Sequence, residues 1–258
     1  MAARAPATIS VPSVHVSGAG LAFDGFPLFD DLSIDLAAGE WTILLGPSGV
    51  GKTSLLRLIA GLEGASAGTV RCDDGLPVSE RVAYMAQQDL LLPWLSLQDN
   101  VLLGARLRGS IDSRSRARAR ELLTRVGLGD RIDALPAACS GGMRQRAAVA
   151  RTLFEDRPIV LMDEPFSALD AITRLQLQDI AAELLGDRTV LLITHDPFEA
   201  LRLGHTVRVM TGRPAQIGAP LAPPGTPPRP ATTPELIALH ATLLARLAAA
   251  AETGADAP

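Results

Sequence analysis

The sequence predicts an α/β fold built on a buried parallel sheet, and three short stretches predict it. Residues 41–46 (WTILLG), 158–163 (PIVLMD) and 188–195 (RTVLLITH) are apolar runs of strand length separated by helical stretches. Continuous apolar runs belong to strands covered on both faces, whereas half-exposed strands alternate. The runs end in a glycine-rich turn, in acidic residues and in a histidine. Such sheets carry their ligands at the C-terminal strand edge, so all three ends are candidates for one site.

The composition bounds the rest. At 258 residues and 47% hydrophobic, the chain can bury a full core as one domain with a subdomain. A formal net charge of −4 argues against broad nucleic-acid binding, which needs a basic face. Arginines do cluster over residues 106–131, a pattern that reads first as a solvated helix face. Two cysteines, Cys72 and Cys139, are too few and too far apart for a disulfide framework and fit a reducing, cytosolic compartment. The N-terminal stretch MAARAPATISVPSVHV lacks the apolar run of a leader peptide, and no segment reaches the roughly 20 apolar residues of a membrane span. The expectation is a soluble chain.

Along the chain, residues 41–46 form a strand that meets a glycine turn. KTSLLRLIAGL follows with apolar residues at helical spacing and stops near Gly61 or Gly64. Residues 90–138 are mostly helical, with arginine and leucine alternating, and read as an inserted helical subdomain of a unit spanning 1–218. After Met210 the chain turns rich in proline and glycine, so 219–258 reads as linker plus a last helix starting at Pro234 with Thr233 as its N-cap. No internal repeat is present.

Residues 46–53, GPSGVGKT, fit the G-x-x-x-x-G-K-[ST] phosphate loop. Glycines at this spacing let backbone N–H groups curl around phosphate oxygens, and the helix N-terminus that follows adds a positive dipole. Gly46, Pro47, Ser48, Gly49, Val50, Gly51, Lys52, Thr53 and Ser54 are the candidate phosphate-binding residues. Lys52 is the only lysine among 24 basic residues. A compact ammonium on a flexible stem suits a point contact between phosphates in a way that a planar guanidinium does not. The Thr53 hydroxyl is a candidate Mg²⁺ ligand. Asp163, ending the second strand, is a second candidate for the metal, and Glu164 beside it is placed to polarise a water as general base.

CSGGMRQR, residues 139–146, resembles the signature L-S-G-G-x-x-Q-R of the nucleotide-binding subunits of ATP-binding-cassette (ABC) transporters. The match is Ser140, Gly141, Gly142, Gln145 and Arg146, with Cys139 in place of leucine. A free cysteine packs as a small hydrophobe, which suits that apolar position. Physically, a serine and two glycines at a helix start make a second anion site. One chain already holds a phosphate loop, so this second site calls for another chain's phosphate. The resemblance runs from about residue 12 to 218. It implies a phosphate-loop NTPase core with an N-terminal antiparallel β part, ATP and Mg²⁺ as ligands, and a head-to-tail dimer with nucleotide sandwiched between copies. By the same resemblance Gln87, preferred over Gln88, senses Mg²⁺ and the γ-phosphate. His195 is the switch histidine, Asp170 belongs to the interface loop SALD, and Phe23 stacks on adenine in preference to Phe26 or Phe29.

LLLPWLSLQDNV, residues 90–101, resembles the importer branch for nitrate, sulfonate, taurine and pyrimidine precursors. MDEPFSALDAITRLQLQ and THDPFEALRLGHTV point to the same group, and the wording around Asp170 and Leu201 leans towards thiamine-precursor pyrimidines. That implies an integral-membrane permease as partner, a solute-binding protein acting through it, and a peripheral position on the cytoplasmic face of the membrane. Leu92, Pro93 and Trp94 are apolar for a surface loop and fit the permease contact; the other reading is that Trp94 packs the helical part onto the core. The competing class is an ABC-type ATPase acting on nucleic acid or the ribosome. Its long coiled coils or second phosphate loop are missing from this sequence.

Overall fold

The computed structural model describes residues 11–230 and 233–255. Residues 1–10, which carry most of the stretch read for a leader, and residues 231–232 and 256–258 of the tail lie outside the described residues.

In chain order the elements are β1 (Val14–Phe23), β2 (Phe26–Leu36), β3 (Trp41–Leu45), α1 (Lys52–Ile59), β4 (Ala67–Cys72) and β5 (Val82–Met85). Then come α2 (Leu97–Val101), α3 (Leu103–Leu107), α4 (Ser113–Arg125) and α5 (Gly141–Phe154). The chain continues with β6 (Ile159–Asp163), α6 (Ala171–Leu184), β7 (Thr189–Ile193), α7 (Pro197–Leu203), β8 (Thr206–Thr211), β9 (Gln216–Ile217) and α8 (Pro234–Ala255). β2-β1-β4 form an antiparallel sheet. A second sheet runs β5-β6-β7-β3-β8-β9 and is parallel except at its β9 edge.

The apolar runs are central strands. Every residue of β3, β6 and β7 is buried. Alternate side chains go to opposite faces, as the period of a strand requires. Trp41, Ile43, Val160, Met162, Val190 and Leu192 join one core with α2 to α8. Leu44, Ile159, Leu161, Leu191 and Ile193 join another with α1 and the antiparallel sheet. Two cores on two faces explain why these strands show no alternation.

Register then sets the site. Leu44 pairs with Ile193, Asp163 with Ile193, and Met85 with Met162. The ends of β5, β6, β7 and β3 are therefore level, and residues just beyond them share one edge.

Three features refine the sequence reading. Arginines of the 106–131 cluster pair inside the chain: Arg106 with Asp99, Arg108 with Glu155, Arg118 with Asp156 and Arg125 with Glu183. Residues 219–230 are pinned. Buried Arg229 donates to the carbonyls of Leu201, Gly204, Pro223, Pro224 and Gly225. Such clamping of main-chain carbonyls by one guanidinium leaves no periodic trace in a proline-rich stretch. α8 does begin at Pro234, but the Thr233 hydroxyl donates to the Pro230 carbonyl at 2.7 Å and so closes the preceding turn.

Candidate nucleotide-binding site

A cleft of about 380 Å³ opens at the shared edge, lined by Phe23, Leu28, Ser48, Gly49, Gly51–Ser54, Gln87, Asp163 and Glu164. Its floor is the turn between β3 and α1. Two glycines there admit no side chain. A Cβ on Gly46 would meet the Met210 carbonyl, and one on Gly51, at φ 109°, would lie 2.8 Å from the Phe29 ring. Phe29 is thereby a core residue beneath the turn, 2% exposed, while Phe23 lines the cleft. Phe26 is 78% exposed and does not line it.

Within the turn the predicted residues divide. Ser48, Gly49, Gly51, Lys52, Thr53 and Ser54 face the cleft. The carbonyls of Gly46 and Pro47 each accept from the Lys52 Nζ at 2.8 Å, and Val50 is buried in the core. Burial pushes the Lys52 ammonium below the usual lysine range against the opposing pull of Glu164 and Asp163. Lys52, Thr53 and Ser54, which line the same space, are the first residues of α1, and a helix start leaves its first N–H donors without intrahelical partners. An ammonium and several amide donors in one concave site is an anion receptor.

The acidic side faces it. The Thr53 hydroxyl donates to Asp163 Oδ2 at 2.6 Å. Asp163 is 2% exposed, and burial raises its pKa, opposed by the Thr53 bond. A hydroxyl and a carboxylate in contact are the oxygen donors a hard divalent cation takes, so the pair fits Mg²⁺. Glu164 comes next, in a left-handed conformation at φ 49°, with its N–H on the Ile193 carbonyl at 2.9 Å. A non-glycine residue there carries on the order of 1–2 kcal/mol of backbone strain. The turn brings its Oε2 within 3.3 Å of both Gln87 Nε2 and His195 Nδ1. Gln88 does not line the cleft. Gln87, Glu164 and His195 thus meet at one carboxylate oxygen, although they come from the ends of three different strands.

The remaining predicted residues are not in this cleft. Ser140 N-caps α5, accepting from the Met143 N–H at 3.3 Å, and it and Gly141 are exposed. Asp170 N-caps α6, accepting from Thr173 N–H at 3.0 Å, a bond that holds its carboxyl below the usual range. Gln145 needs correcting as a nucleotide ligand. It is 4% exposed and donates to the carbonyls of Glu164 and Pro165, at 3.3 and 3.0 Å. One turn into α5 from Gly141, this side chain is covered by the 164–165 backbone it bonds to, so it braces the Glu164 turn. Cys139 is buried, with its thiol 3.5 Å from the Leu135 carbonyl.

Several residues that organise the site had no signature in the sequence. Asn100 holds the 92–96 turn, accepting from Leu92 N–H at 2.7 Å and donating to the Leu92, Leu95 and Ser96 carbonyls. Arg144 pairs with Asp89 at 3.0 Å, and Arg151 donates to the Asp89 and Leu90 carbonyls. Trp94 above them is 70% exposed.

A glycine turn under a lysine, facing a buried aspartate and a strained glutamate across a parallel-sheet edge, defines a phosphate-loop nucleotide hydrolase. The ABC transporter family model matches residues 29–167, more than half of the chain. The chain belongs to that family. It is 43% identical to an uncharacterised ABC transporter ATP-binding protein of Haemophilus influenzae, over 91% of this chain and 98% of the relative. It is 41% identical to the aliphatic sulfonates import ATP-binding protein SsuB of Delftia acidovorans, over 93% of this chain and 96% of that one. The ATP-binding cassette MJ0796, solved as a dimer in a post-hydrolysis state with ADP and Pi, superposes with a TM-score of 0.74 at 26% identity, covering 83% of this chain and all of that one.

Proposed function

We propose that this ABC ATPase powers import of a small anionic solute of the aliphatic sulfonate class, working as a sandwich dimer on a separate permease at the cytoplasmic membrane face. The observation that carries the ATPase site is the meeting of Gln87 and His195 on one Glu164 oxygen, opposite Lys52. In this reading the phosphate-loop amides and Lys52 hold the β- and γ-phosphates, Phe23 stacks on the base, and Glu164 takes a proton from the attacking water. His195 and Gln87 orient that water and the γ-phosphate. Thr53 and Asp163 would hold Mg²⁺, which supplies charge neutralisation on the phosphate oxygens.

Two further features support the assembly. Ser140 and Gly141 are exposed at the start of α5 and do not line their own chain's cleft, which suits a partner's γ-phosphate. Among the described residues no helix is long and apolar enough to cross a membrane, which suits a peripheral subunit of a membrane transporter. The solute class rests on the sulfonate-importing relatives, which favour sulfonates over pyrimidine precursors. The site itself touches only nucleotide. A solute-binding protein would act through the permease.

The test is reconstitution with its co-purifying permease and binding protein in vesicles. ATP-dependent accumulation of a labelled alkanesulfonate, lost in Glu164→Gln, is the expected result. Robust ATPase activity with no uptake of any sulfonate would remove the solute reading and keep the ATPase. A companion measurement addresses the dimer: Glu164→Gln with ATP should sediment as a dimer, and adding Ser140→Arg should return it to monomer.

A further inference from the structure

We infer that Arg174 is a positioning residue that transmits the placement of the 167–170 loop to His195. The inference rests on the sandwich dimer proposed above and on the family resemblance that puts the SALD loop, residues 167–170, at the interface between two copies.

The guanidinium spans the two loops. Its Nη2 donates to the Leu169 carbonyl at 3.0 Å, and its Nη1 reaches Asp196 Oδ2 at 3.3 Å. Asp196 directly follows His195 and is itself fully engaged. Its other carboxylate oxygen accepts from the Phe198 and Glu199 N–H groups at 2.8 and 3.3 Å, capping α7, and its own N–H donates to Thr194 Oγ1 at 3.0 Å. His195 therefore sits between two residues that are tied to each other and, through one carboxylate, to Arg174.

The other end is equally connected. The Ser167 hydroxyl donates to the Glu164 carbonyl at 3.1 Å, and a Cβ on Gly142 would lie 3.3 Å from the Ala168 carbonyl. The loop thus abuts the catalytic turn on one side and the α5 start on the other. A guanidinium is planar, with its arms at a fixed angle. A shift of Leu169 must move Asp196, and with it the histidine, or break one of the two contacts. Both Arg174 and Asp196 are about 30% exposed, so the pair is partly shielded from solvent. A partner copy that moves the loop would thereby alter the His195–Glu164 distance in this chain, which couples the two sites.

Three variants of the full chain test it. Arg174→Met removes both arms, Arg174→Lys keeps the charge without the fork, and Asp196→Asn keeps the α7 cap without the charge. Phosphate release against ATP concentration, equilibrium ATP binding and thermal unfolding are measured on each. ATP-driven dimerisation of Glu164→Gln in sedimentation, with and without Arg174→Met, tests the underlying dimer reading separately. For Arg174→Met and Asp196→Asn the expected result is kcat lowered about tenfold, with ATP Kd changed by less than about twofold and a Hill coefficient falling towards one. The double variant should be no worse than either single, and Arg174→Lys should recover part of kcat without the cooperativity. Unchanged kcat and Hill coefficient in both would overturn the inference. So would a kcat that falls in step with the melting temperature while the Hill coefficient stays at its wild-type value.

Discussion

Two regions near the nucleotide edge are built in opposite ways. The cleft is concave and polar, with its charged groups half or fully buried and each tied to a neighbour: Lys52 to two carbonyls, Thr53 to Asp163, Glu164 to Gln87 and His195. The 89–95 segment is apolar at its surface, with Leu90 and Trp94 58% and 70% exposed. Yet its backbone is held as firmly, by Asn100 from α2 and Arg144 and Arg151 from α5. The same α5 helix braces the cleft through Gln145. A small anion needs converging donors in a dry hollow, and a protein partner needs a rigid apolar knob. One helix stiffens both surfaces.

The contrast is broken most completely at Lys52. Lys52→Ala removes the cleft's ammonium, so ATP affinity and turnover should both collapse, each by about 100-fold or more given the strength of charge-assisted contacts in a partly dry site. Equilibrium nucleotide binding and phosphate release check it. Glu164→Gln cuts more selectively. It keeps the size and leaves the phosphate-side donors intact, so ATP should bind with near wild-type Kd while hydrolysis falls by about 100-fold to 10,000-fold, the usual range for a general base. Near-normal turnover in that variant would remove Glu164 from the role of base.

Trp94→Ala acts on the other surface. A side chain 70% exposed contributes little to folding, so the stability change should be within about 0.5 kcal/mol and basal ATP hydrolysis near normal. Co-purification with the permease and uptake in vesicles should fall several-fold. Unfolding of Trp94→Ala would instead make it a packing residue, an outcome its exposure argues against. Asn100→Ala should reach the same uptake defect from beneath while costing about 1–3 kcal/mol of stability, since four backbone contacts lose their partner.

These expectations follow how much of each region was legible in the sequence. The sheet could be read because its strands are covered on both faces and so are uninterrupted apolar runs. The phosphate loop, Asp163, Glu164 and His195 could be read because each lies at the end of such a run, and parallel register levels those ends. Asn100, Arg144, Arg151 and Arg174 could not. Arg144 and Arg151 bond to groups more than fifty residues back and Arg174 to a carboxylate on another loop. Buried Asn100 bonds to an irregular turn just before it, and no periodic pattern marks any of these contacts. Gln145 illustrates the limit: adjacency to Ser140 and the glycines suggested a ligand, but the 164–165 backbone, distant in sequence, covers it and takes its hydrogen bonds. The left-handed Glu164 was equally invisible, since a turn forced by tertiary contacts needs no glycine to mark it.

The two regions also separate by pH, because of where their ionisable groups lie. Behind the cleft, Glu199 accepts from Gln178 Nε2 at 2.9 Å and from the Thr194 hydroxyl, and burial pushes its pKa from 4.5 up to about 7. In the unfolded chain it titrates near 4.5, so between these values the native state holds a proton that the unfolded state has released. Stability therefore falls as pH rises through that window and levels off above about 7. Glu199→Gln keeps an acceptor for Gln178 and cannot ionise, so it should gain on the wild type by on the order of 2–3 kcal/mol between pH 5 and pH 8. Denaturant midpoints of both proteins at the two pH values measure the gain directly. Trp94→Ala carries no titrating group, so its difference from the wild type should stay flat over the same range. If Glu199→Gln is flat as well, the carboxyl is ionised in the native state at pH 5. The Thr194–Glu199–Gln178 chain then holds a charge behind His195, not a neutral acid.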